Sequence, residues 1–161
     1  MGEMHVVGIS DCKVGKGADD TVITYALGSC VGLALYDARA QVGGILHIML
    51  PDSQFRSGSS VLNPFMYADT GVQGLLGLLA ERGADRSHLV AKAAGGANML
   101  RHSSMLDIGK RNIEATLDIL KRERIPLLGQ SLGGTVGRSM QISLDDGTVH
   151  VRLLGVGEEK L

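Results

Sequence analysis

Apolar positions along the chain follow two rhythms, and the rhythm changes where the element changes. After Asp69 or Thr70, either of which can cap a helix, Val72, Leu75, Leu76 and Leu79 recur at i, i+3, i+4 and i+7 until Gly83. That spacing predicts an amphipathic helix with its leucines in the core. A second helix is predicted from about Ile108 to Arg124, with Ile113, Leu117 and Leu120 on one face and Lys110, Arg111, Lys121 and Arg122 mostly on the other. Shorter apolar runs read as strands: Met4 to Ile9, Thr21 to Tyr25, Val31 to Tyr36, Gln41 to Leu50, Leu89 to Ala94, Pro126 to Leu128, Met140 to Leu144 and Val149 to Leu154. Asp37-Ala38-Arg39-Ala40 and Asp145-Asp146-Gly147 join neighbouring runs as hairpins. Asp11 to Asp20 and Pro51 to Asn63 read as loops, the second rich in serine (Ser53, Ser57, Ser59, Ser60) and bordering the run that carries His47. Interspersed strands and helices predict an α+β class: a layered single domain over residues 1–161, its mixed or antiparallel β-sheet packed by two long helices.

Composition narrows the function. A length of 161 residues suffices for a sizeable core, and with 23 Gly, no Trp and few aromatics that core is built of Val, Leu, Ile, Ala and Met. A net charge of −1 gives no electrostatic footprint for nucleic acid or for an anionic membrane surface. No run is long and apolar enough to insert in a membrane, so a cytoplasmic protein is expected. The two cysteines, Cys12 and Cys30, have no spacing suited to a metal, and neither a metal nor another cofactor is expected. Gly15-Lys16 lacks the spacing of a phosphate-binding loop. Cys12, His5, His88 and His102 read as structural, and His150 as facing solvent in an alternating strand.

The chemistry concentrates in Thr24 to Gly32 and Leu46 to Asp52. A cysteine entered through Gly28-Ser29 and a lone histidine in the next apolar run are the two parts of thiol-based acyl transfer. Pairing Tyr36 with Gln41 sets Cys30 directly opposite His47, with Cβ atoms roughly 4.5 to 5.5 Å apart on one face of the hairpin. The imidazole would then take the thiol proton and lower the thiol pKa by ion pairing. Thr24 is the candidate third member, its hydroxyl accepting from the far ring nitrogen. The backbone N–H groups of Ser29 and Cys30 are candidate oxyanion donors. A redox sensor based on Cys30 would need Cys12 to approach it in the fold.

Nearly the whole chain resembles the CheD family of chemoreceptor glutamine deamidases. The motifs fall in order: Leu27-Gly28-Ser29-Cys30-Val31, His47-Ile48-Met49-Leu50-Pro51-Asp52-Ser53, Tyr67-Ala68-Asp69-Thr70, Gly95-Gly96-Ala97, Ile108-Gly109-Lys110-Arg111-Asn112, then Gly133-Gly134 and Gly137-Arg138. The resemblance implies a fold like that of deamidating toxin catalytic domains, with Cys30 as nucleophile, His47 as base and Thr24 completing a triad. It implies that selected glutamines of the cytoplasmic receptor helices become glutamates, and that the CheC phosphatase is a possible partner. Where the family has an acidic pair before Gly133-Gly134, this chain has Gln130-Ser131, which bears on a partner surface more than on the chemistry. The alternative is a regulator that docks CheC or receptors, with hydrolysis secondary.

Overall fold

The computed structural model describes residues 2–55, 63–99 and 107–161. The serines at 57, 59 and 60 and His102 lie outside them. The described strands form two five-stranded sheets. In the first, β1 (Met4–Val7) runs parallel to β3 (Thr21–Leu27), which continues antiparallel through β8 (Arg138–Ser143), β9 (Val149–Leu153) and β10 (Gly157–Lys160). The second has the order β2 (Cys12–Lys16), β5 (Val42–Ile48), β4 (Val31–Asp37), β6 (Val90–Gly95) and β7 (Leu127–Leu132). Only the β6–β7 pair in it is parallel, joined through α2 (Ile108–Arg122) as a βαβ unit.

The α+β class, the mixed strand pairing and the two helices are those the pattern predicts, but the strands divide into two stacked sheets where one was expected. Strands β4 and β5 are buried at every position, which explains why each reads as an unbroken apolar run. Val31, Leu33, Leu35, Leu46 and Ile48 point to the helices, where Val72, Leu75, Leu76 and Leu79 of α1 (Ala68–Glu81) and Ile119 and Leu120 of α2 meet them. Ala34, Tyr36 and Ile45 face the first sheet and pack on Val22, Leu27, Met140, Ile142 and Val151. Each fully buried leucine in these layers contributes about 1.5–3 kcal/mol.

Several local expectations change. Residues Cys12–Lys16 form an edge strand on β5 within the segment read as a loop, and β10 is added where no pattern marks it, all four of its residues being exposed. Helix α1 begins at Ala68 with no side-chain cap. Asp69 instead turns back to accept from the N–H and Oγ of Ser53, tying the end of the His47 segment to the helix. The buried stripe of α2 is Gly109, Asn112, Thr116, Ile119 and Leu120, one position round from the predicted face, because Asn112 and Thr116 take core positions as polar residues. His5 has a partner in Asp20 at 3.0 Å, and His88 sits 3.8 Å from the buried Asp37 carboxylate. His150 is exposed, as expected.

The hairpin register also moves. Tyr36 pairs with Gly43, so Gly32 and not Cys30 stands opposite His47. Gln41 lies at φ 51°, outside the strand region, and the Asp37 carboxylate accepts from the N–H groups of Arg39 and Ala40, closing the turn earlier. The ladder therefore begins at Asp37 and Val42. Because the shift along the ladder is two residues, the parity is kept: Cys30, just before β4, packs against the cluster on the side facing the first sheet, the side His47 also takes.

Candidate active site

His47 is fully buried between the sheets. Gly32 opposite it leaves no room for a side chain, since a Cβ there would come 2.4 Å from the Met140 sulfur. From the facing sheet Thr24, also fully buried, brings its Oγ1 to 2.8 Å from His47 Nδ1. The same hydroxyl donates to the Val7 carbonyl at 2.9 Å. A hydroxyl has one proton, so Thr24 must accept from an Nδ1–H, which leaves Nε2 with the lone pair. Among the described residues, buried Nε2 has no hydrogen-bond partner. Burial pushes the imidazole pKa down from 6.5 to about 4, with the Asp11 carboxylate pulling weakly the other way. Asp11 also accepts the His47 N–H through its backbone carbonyl.

Cys30 is half-buried at the mouth of the same layer, and burial raises its thiol pKa. The expected ion pair is thus corrected: both shifts favour the neutral forms, thiol and imidazole, in the resting protein. Cys12, on the edge strand, is buried and pushed up to about 12 by burial and by Asp11, the environment of an inert thiol.

The loop entering Cys30 is held by its carbonyls. A kink with Ala26 at φ 59° breaks the β3–β8 register between Thr24 and Leu27 and turns the chain into Gly28. The Gly28 carbonyl accepts from the Ala97 N–H and the Cys30 carbonyl from the Gly96 N–H, both at 2.8 Å. Gly95, at φ 110°, passes so close that a Cβ would lie 2.2 Å from the Cys30 oxygen. The Ser29 carbonyl accepts from Asn112 Nδ2 at 2.9 Å, and the same nitrogen reaches the Met49 carbonyl at 3.0 Å. Sequence reading names Asn112 only as the end of a family motif and gives it no role. Its signal was a polar residue in the i, i+3, i+7 stripe begun by Gly109. Met49 and Met99 are exposed beside this loop, and Met99 lies against Gly28, whereas the exposed Tyr25 lines a cavity with Ile23, Gln141 and His150 on the outer face of the first sheet.

The structure thus brings His47 and Thr24 into contact and sets Cys30 on their face of the sheet. Among the described residues no three His, Cys, Asp or Glu side chains gather as a metal site. No helix among them is long and apolar enough to cross a membrane.

One linked prediction concerns stability. A histidine held near pKa 4 when folded and titrating at 6.5 when unfolded leaves the unfolded chain with more bound protons between those values. Its contribution is therefore present above pH 6.5 and is lost as pH falls towards 4, on the order of 3 kcal/mol in all. Urea unfolding at a series of pH values is expected to show this loss in the wild type and its absence in His47→Gln.

A neutral imidazole with one nitrogen anchored and the other bare, sharing a sheet face with a cysteine, is the equipment of the thiol-dependent hydrolase class. Comparison with known proteins gives the family. Residues 49–153 match the model of CheD, described as chemotactic sensory transduction. The chain is 43% identical to a Solibacter usitatus protein over 98% of this chain and 93% of that one, and 45% identical to a Symbiobacterium thermophilum protein over 98% and 97%. A Clostridium tetani protein is 43% identical over 96% and 94%. All three carry the name "Probable chemoreceptor glutamine deamidase CheD". A crystal structure of a Neisseria meningitidis protein of the DUF152 family is similar at a TM-score of 0.45 and 11% identity, over 81% of this chain and 63% of that one, too distant to bear on function. The chain belongs to the CheD family.

Proposed function

We propose that this protein is a chemoreceptor glutamine deamidase in which Cys30 is the nucleophile, His47 the base and then the acid, and Thr24 the group that orients the imidazole. The observation that carries the reading is the Thr24–His47 hydrogen bond, which leaves Nε2 unprotonated and unpartnered among the described residues, on the face it shares with Cys30. As the Cys30 sulfur attacks the glutamine side-chain carbon, the thiol proton passes to Nε2. The carbonyl oxygen becomes an oxyanion, met by the N–H of Cys30 and that of Ser29. Collapse of the tetrahedral intermediate breaks the C–N bond, and Nε2–H gives its proton to the departing ammonia. Water, deprotonated by Nε2, then cleaves the thioester, releasing glutamate and restoring the thiol.

Substrate class comes from the relatives' names, and the exposed Met49 and Met99 give the mouth an apolar rim suited to the face of a receptor helix. The family resemblance supports a cytoplasmic location and makes the CheC phosphatase a partner to seek by copurification. The test is ammonia release from a chemoreceptor cytoplasmic fragment. Release at one equivalent per converted glutamine is expected. Its absence with several cognate receptors, with binding retained, would favour the regulator.

Thr24→Val keeps the shape of the buried side chain and removes the hydroxyl, leaving Nδ1–H unpaired. Losing a buried hydrogen bond of this kind costs about 1–3 kcal/mol, so kcat/KM is expected to fall about 10- to 100-fold in steady-state ammonia release.

A further inference from the structure

Asn112 is wholly buried on α2 and puts both amide hydrogens into bonds with two carbonyls, Ser29 at 2.9 Å and Met49 at 3.0 Å. Both partners can only accept, so the side-chain nitrogen must face them. Among the described residues its Oδ1 has no partner. A buried acceptor left unpaired costs about 1–3 kcal/mol, a cost that offsets much of what the two hydrogen bonds of the same amide contribute. What the amide holds is the informative part. Ser29 supplies the carbonyl of the peptide that ends in the Cys30 N–H, and Met49 is the first residue past the end of the His47 strand.

In a trans peptide the C=O and N–H point in opposite directions. Anchoring the Ser29 carbonyl on α2 therefore turns the Cys30 N–H away from the helix, and among the described residues that N–H and the N–H of Ser29 meet no acceptor. The neighbouring carbonyls of Gly28 and Cys30 are held by Ala97 and Gly96, and the Gly28 N–H bonds the Ala26 carbonyl at 3.2 Å, so the loop has its acceptors tied down and the donors of Ser29 and Cys30 open. We infer that Asn112 is a positioning residue for the oxyanion. It sets the plane of the Ser29–Cys30 peptide so that the Cys30 N–H is already aimed where negative charge develops, and it ties that peptide to the end of the His47 strand. The inference rests on Cys30 being the nucleophile.

The test compares two reactions of Cys30. Deamidation passes through an oxyanion, whereas alkylation by iodoacetamide is displacement at a saturated carbon and forms none. In Asn112→Ala and in the near-isosteric Asn112→Asp, kcat for a chemoreceptor fragment is expected to fall about 10- to 100-fold, KM and the alkylation rate staying within about twofold. Rates are taken per folded molecule, counted by circular dichroism, because unfolding would expose both Cys12 and Cys30 to the reagent. Equal falls in both reactions would show a general structural role and overturn the proposal, as would unchanged deamidation. A second arm needs no variant. When a peptide aldehyde adds to the wild-type thiol, the amide proton of Cys30 is expected to move downfield in the NMR spectrum as it bonds the new oxygen, and no movement would overturn the proposal. Deamidation that survives in Cys30→Ala would instead defeat the nucleophile assignment itself, so the two failures are told apart.

Discussion

Cys30→Ala is expected to reduce ammonia release from chemoreceptor fragments to background while leaving the fold intact. The sulfur is the only protein atom in the proposed mechanism that bonds covalently to the substrate carbon, and its removal leaves no route to the thioester. Loss of a nucleophile from a comparable triad costs about 10⁶ in kcat, far more than any orienting contact. The structural cost is small. Cys30 is half-buried at a loop end, and its carbonyl, the part that bonds Gly96, stays in place. Thermal unfolding is expected to lie close to wild type and receptor binding to persist. Turnover at more than a hundredth of the wild-type rate would remove Cys30 from the mechanism.

His47→Gln has the second largest expected effect, a fall of about 10²- to 10⁴-fold in kcat/KM, the range general acid–base catalysis supplies. Glutamine keeps a polar group beside Thr24 and avoids the cavity that alanine would leave in a fully buried position. The variant also separates two kinds of thiol activation. Because burial holds His47 near pKa 4 and raises Cys30, the imidazole takes the proton only as substrate is attacked. Iodoacetamide alkylation of wild-type Cys30 is thus expected to rise with pH, without an inflection below 9.0, the thiol's ordinary value. Deamidation is expected to be flat through neutral pH and to fall only as His47 is protonated near pH 4. An alkylation inflection well below the ordinary value, abolished in His47→Gln, would indicate a preformed ion pair.

The parts of this site differ in how far they could be read from the chain. Cys30, His47 and Thr24 could be nominated as candidates only in combination and through the family resemblance, because a lone cysteine or histidine in an apolar run is more often a packed side chain. Their geometry was less legible. The hairpin register depends on Gln41 entering the left-handed region and on Asp37 closing the turn, neither of which leaves a mark in hydrophobic periodicity. Face survived the error since it has a period of two. The Thr24–His47 contact spans two sheets, and no local pattern in a single chain specifies which sheets stack. Strand β2 was hidden by its edge position, where Lys13, Gly15 and Lys16 dilute the apolar signal, and β10 by complete exposure. Asn112 was hidden for the opposite reason: a polar residue in a core stripe makes the stripe look interrupted, although the interruption is the part that touches the nucleophile loop.

The most direct measurement is rapid-quench mass mapping of the protein during turnover of a chemoreceptor fragment. The account predicts a thioester between a receptor glutamyl group and the peptide containing Cys30, rising before free glutamate and absent in Cys30→Ala. Deamidation proceeding with no adduct on Cys30, or with an adduct on another residue, would contradict it.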